Sequence, residues 1–141
     1  MRMHRSMLTL AMAMFAMACG PTERPEGIRL WSDDFAIRVS SVPSPPRALE
    51  QIQYKVVVRD KETGEPIEVG EGRIFATNQD RHSIDNGLTK GKELGTYYTT
   101  LFFANSGPWA MGVQFRRDST QRLQRTTDWM QDVLTATPPG Q

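Results

Sequence analysis

Between Gly95 and Phe115, apolar and polar residues change places at every second position. Tyr97, Thr99, Leu101 and Phe103 share one phase; Asn105-Ser106-Gly107-Pro108 interrupts it, and Trp109, Met111, Val113 and Phe115 resume it. A period of two lines one face of a pleated strand, so the pattern predicts two strands joined by a Gly-Pro turn. Ile52, Tyr54, Val56 and Val58 repeat the rhythm, with Gln53, Lys55, Val57 and Arg59 in the opposite phase. The charged turn 61–66 follows, with Gly64 where a positive φ is tolerated. The stretch 66–77 then reads as the antiparallel partner of that strand, and Gly70 and Gly72 mark a bulge or a close backbone approach.

Earlier in the chain, Phe35, Ile37 and Val39 predict another strand, ended by Pro43, Pro45 and Pro46. Residues 78–94 are polar and broken by Asn86-Gly87 and Gly91, which predicts a loop with a short strand near 82–88. The segment 118–135 supports two readings. Leu123, Met130 and Leu134 fit a helical stripe, with Asp118 and Gln121 as a capping box. Thr127, Trp129, Gln131 and Val133 alternate more loosely as a strand. Periodicity alone favours the helix slightly. Short strands spaced by turns point to an all-β sandwich or barrel over 28–136, with 137–141 a frayed tail. A domain of about 110 residues buries roughly two-thirds of its surface and needs no disulfide.

The first 18 residues have another character. Arg2 and Arg5 precede a run, apolar except for Thr9, from Met7 to Ala18, the shape of an export signal. That run is short of the roughly 20 residues that a membrane-spanning helix needs. It ends at Cys19, the single cysteine of the 141 residues. The junction resembles the lipobox of bacterial lipoproteins: Ala18 fits the small residue before the cysteine, Ala16 stands where leucine is usual, and Met17 is bulkier than typical. The resemblance implies an acyl anchor on Cys19, each buried CH₂ contributing about 0.8 kcal/mol to membrane attachment. Two other readings stay open: a secreted chain cut near Ala18 with a stray thiol, and an uncleaved anchor. Gly20 in place of aspartate implies, for a Gram-negative lipoprotein, transfer to the outer membrane, facing the periplasm. Residues 19–27 hold two prolines and two glycines and read as a tether.

Charge narrows the partners. There are 17 basic and 16 acidic residues; removing Arg2 and Arg5 with the leader leaves 15 against 16, a net charge of −1. Nothing there marks a nucleic-acid partner. The leader also removes His4, Met3, Met7, Met12, Met14 and Met17, so His82, Met111 and Met130 are the soft or imidazole donors left.

Two stretches resemble a known family. Gly95, Tyr97, Leu101, Phe103, Gly107, Trp109, Met111, Val113 and Phe115 are similar to the end of YtkA-like and FixH-like domains, and 54–74 resembles their D-x-x-x-G-x-P hairpin. Together they cover about half of the mature chain. The resemblance implies an immunoglobulin-like antiparallel β-sandwich of about seven strands outside the cytoplasm, with no established catalytic activity, and it makes the last segment a strand. Some members carry Met and His between the hairpin and the Gly-x-Tyr strand, which suggests copper. Here that stretch has His82 and no methionine, and the lipobox-like cysteine stands where FixH-like chains have a membrane helix.

Candidate chemistry is sparse. One His and no free Cys remain for catalysis, and Ser83 beside His82 faces the opposite way in a strand. No nucleophile-elbow or zinc-protease motif occurs, and Asp33, Asp34 and Asp80 read as solvated carboxylates. Met111 sits in the strict alternation and reads as core filler. A Cu(I) site would therefore fall to His82 and Met130. Trp109 belongs inside, while Trp31 and Trp129 lie in weaker patterns and are candidate aromatic anchors for a partner. The sequence reads as a non-catalytic, cofactor-free binding module, anchored to the membrane by lipid and facing a cell-envelope partner. The competing reading is a copper-handling or oxidase-assembly accessory.

Overall fold

The computed structural model describes residues 26–140. The leader, Cys19 and most of the tether lie outside them. The described chain is all-β. Its strands are β1 (Ile28–Trp31), β2 (Phe35–Val42), β3 (Gln51–Asp60), β4 (Glu71–Asn78), β5 (Ser83–Gly87), β6 (Thr89–Lys90), β7 (Thr96–Phe102), β8 (Gly107–Arg116), β9 (Gln124–Arg125) and β10 (Trp129–Val133). Two antiparallel sheets of five strands face each other: β1-β2-β3-β7-β6, and β10-β8-β4-β5 with β9 paired to β8. With β1 and β9 set aside, this is the immunoglobulin order of A, B, E, D against G, F, C, C′.

The alternating phases become the two inner faces. Ile52, Tyr54, Val56, Val58, Tyr97 and Leu101 from the first sheet meet Ile74, Trp109, Met111, Val113 and Phe115 from the second, all nearly or fully buried. The Phe115 ring stands edge-on to Phe35 and Tyr97 at 5.0 and 5.3 Å, and Phe103 meets Trp109 at 5.2 Å. A side chain at Gly70 would run into the Phe115 ring, and one at Gly72 into the Gln114 carbonyl, so the close approach expected at both is real. Burial pushes the Tyr54 and Tyr97 phenols above the ordinary tyrosine range. The Tyr97 hydroxyl donates to the Ile67 carbonyl at 2.9 Å.

Pairing departs from the sequence expectation in two places. β3 and β4 are not a hairpin, and neither are β7 and β8; each pair is split between the sheets. The turn after β3 does form: Asp60 accepts from the Glu62 and Thr63 amides, Gly64 takes φ +75°, and Arg59 bridges to Pro66. Beyond Ile67 the chain leaves that sheet and crosses to the other. Alternation fixes which side of a strand is apolar but not which strand lies beside it.

The last segment is a strand, and its apparent helical stripe is its wet side. Met130 is 63% exposed and Leu134 37%, while Trp129 and Val133 are buried. Asp118 folds back on Thr120 in a tight turn instead of capping a helix. The Thr120 bonds hold the Asp118 carboxyl below its ordinary range. After β10, Leu134 bonds to Pro46 and Ala48, tying the chain end to the start of the sandwich.

Candidate binding face

The outward phase of β1, β2 and β3 builds the most distinctive surface. Register sets Trp31 beside Ala36 and Ala36 beside Arg59, then Arg29 beside Arg38 and Arg38 beside Val57, then Ser40 beside Lys55. Partners across a ladder are about 5 Å apart and next-but-one residues along a strand about 7 Å. Arg38 thus has Arg29, Lys55 and Arg59 within roughly 8 Å at the backbone. The small side chains of Ala36, Ser40 and Val57 make a floor, with Trp31 and Arg29 rising on β1 and Lys55 and Arg59 on β3. The result is an open groove of about 1160 Å³.

No carboxylate points outward from β1, β2, β3 or β7. Lys55 meets Glu93 from a loop at 3.7 Å, and Arg59 donates to the Gly64 carbonyl at 3.0 Å. Among the described residues, no ion pair forms at Arg29, Arg38 or Arg59. Like charges directly opposite in a ladder are unfavourable. Arg29 and Arg38 are such a pair, and an anion between them relieves it.

Trp31 is 51% exposed at one end of this groove. Its place is fixed by the β1–β2 turn. There Gln124 accepts from the Ser32 hydroxyl and the Asp34 amide, each at 2.9 Å, and Lys61 donates to the Ser32 carbonyl at 3.2 Å. Trp129 is corrected as a partner anchor: it is only 9% exposed, its ring belongs to the core, and its indole N–H is buried without a partner.

The structure does not bring His82 and Met130 together. Ser83, Thr77, Ala110 and Met130 are successive register partners across β5, β4, β8 and β10. Three strand spacings put His82's neighbour roughly 14 Å from Met130. His82 pairs through Nδ1 with the Asn105 side-chain amide at 3.0 Å, and Ser83 pairs with Thr77 at 3.0 Å, so neither engages the other. Met111 lies on the inner face, accepting from the Tyr54 hydroxyl at 3.7 Å. Among the described residues, no three His, Cys, Asp or Glu side chains converge as a metal cluster.

The sequence reading named Trp31, which is exposed here, and did not single out Arg29, Arg38, Lys55 or Arg59, which share its face. The signal lay in the polar phase of two strands, cationic and free of acid. It became a surface only once β1, β2 and β3 were known to be neighbours. Comparison with family models, curated proteins and solved structures gives no match.

Proposed function

We propose that the chain is a lipid-anchored, extracytoplasmic β-sandwich that binds a cell-envelope partner through the outward face of its first sheet and catalyses nothing. The observation that carries this reading is the groove itself: four cations and an exposed indole beside small residues, with Glu26 the one acid in its lining and no ion pair at Arg29 or Arg38 among the described residues. Placement supports it too. The tether enters β1, the strand that bears Arg29 and Trp31. Residues 19–27 span at most about 30 Å, so an acyl chain on Cys19 would keep the face near the membrane. The similarity to YtkA-like and FixH-like domains supports the same side of the membrane, and Gly20 supports the outer membrane. The non-catalytic part rests on the separate engagements of His82 and Ser83.

Two measurements on the full chain in cells test this. Labelled palmitate is expected to enter the protein and to be lost in Cys19→Ala, which moves to the soluble fraction. A photo-crosslinking residue at position 31 is expected to capture an envelope component that the same residue at position 77 does not. Unchanged fractionation of Cys19→Ala contradicts the anchor, and equal labelling at 31 and 77 contradicts the binding face.

A further inference from the structure

The groove's ligand is specified further by what it offers and what it withholds. We infer that it takes a linear acidic polysaccharide, with carboxylates on Arg29, Arg38, Lys55 and Arg59 and a sugar ring against Trp31. This rests on the reading of this face as a binding surface and names the ligand class.

Charge gives the first half of the argument. Guanidinium groups bind carboxylates through two parallel N–H donors, and Arg29 and Arg38 stand side by side with no ion pair among the described residues. A run of cations along an open groove matches a run of anions along a polymer. Backbone chemistry gives the second half. The floor strand β2 is paired on both sides, to β1 and to β3, so its amides and carbonyls are spent within the sheet. A peptide laid in the groove would find no backbone partners there. A polysaccharide brings its own hydroxyls and needs only side chains such as Ser40 and the arginines. The exposed indole of Trp31 supplies a flat apolar surface for the C–H face of a sugar. A planar bilayer would touch the rims and leave the floor empty.

The test uses the full chain held in neutral phosphatidylcholine nanodiscs, free of detergent, at about 0.15 M salt, where only close charge pairing survives. The probes are polygalacturonate, neutral dextran, polyglutamate and phosphatidylglycerol vesicles, read by titration calorimetry. Polygalacturonate is expected to bind and dextran not to. Arg38→Glu and Arg29→Glu are each expected to weaken binding about tenfold or more, the size of one lost charge-assisted contact, and Trp31→Ala to weaken it about tenfold through the lost aromatic contact. Arg73→Glu on the opposite sheet is expected to leave it unchanged. Polyglutamate binding as tightly as polygalacturonate overturns the inference, as does binding to vesicles alone, indifference to Trp31→Ala, or no polygalacturonate binding. If position 31 still crosslinks an envelope component while polygalacturonate fails, the binding face stands and the ligand class falls.

Discussion

The two sheets turn opposite kinds of surface to water. On the second sheet, Arg73 lies between Gln114 at 2.7 Å and Asp85 at 2.9 Å, and Arg116 pairs with Glu71. Arg125 covers the Phe75 ring at 4.4 Å and pairs with Asp128, and Phe75 in turn lies over Gly112. A shallow hollow of about 270 Å³ lies there. On the first sheet, Arg29, Arg38 and Arg59 form no ion pair among the described residues, around a groove roughly four times larger that Glu26 also lines. The same fold element closes over its outward charges or leaves them bare according to whether they find partners within the chain.

The comparison breaks most visibly at the two floors. Gly112→Val drives a side chain into the Phe75 ring and is expected to destabilise the sandwich by roughly 2 kcal/mol in denaturant unfolding. Ala36→Val, on the groove floor, is expected to change stability by less than about 0.5 kcal/mol while obstructing the ligand. Charge reversal gives the next effect, with opposite signs on the two faces. Arg73→Glu loses its carboxylate partner and is expected to lower stability by a few tenths to about 1 kcal/mol, small because the pair is half-exposed. Arg38→Glu converts a repelling pair into an attracting one with Arg29 and is expected to raise stability by roughly 0.5 kcal/mol while weakening binding. Thermal melts of the two variants side by side decide this.

A smaller effect belongs to the seam between the sheets. Asp60 closes the turn after β3 and pairs with Arg117 beyond β8. Its carboxyl is held below the ordinary range, first by the Thr63 and Glu62 amides and then by Arg117. The folded carboxylate therefore titrates below its unfolded value of about 4. Its contribution is complete above that pH and is lost as pH falls through the lower, folded value. The protection of the Glu62 and Thr63 amides against exchange, relative to the intrinsic rate at each pH, is expected to fall in that acid window, and Asp60→Asn to remove that fall. The smallest expected effect is none: Cu(I) titration of the full chain should show no site tighter than about 1 μM that depends on His82 and Met130. A tight site lost in His82→Ala would favour the copper-handling reading.

How far the sequence carries can be read from Lys55 and Val57. Their phase in β3 was legible because alternation reports the side of a strand directly. The same signal placed Trp109, Tyr97 and Met111 inside, where all three are at most 1% exposed. Neighbours were not legible. Adjacent strands in the chain joined by a good turn suggested hairpins, but this sandwich sends β3 to β4 and β7 to β8 across the core. Trp129 failed for a related reason: its loose alternation hid a buried place beside Met111. Arg29 and Arg38 face each other only through the β1–β2 register, so their pairing, unlike the cationic phase of each strand, had no linear signature.

Arginine footprinting tests the central contrast most directly. The full chain is treated with phenylglyoxal in intact cells and after purification, and modification is read by mass spectrometry. Arg29 and Arg38 are expected to be shielded in cells and reactive once purified, while Arg73 and Arg116 react equally in both. Equal reactivity of Arg29 and Arg38 in the two settings would contradict the contrast.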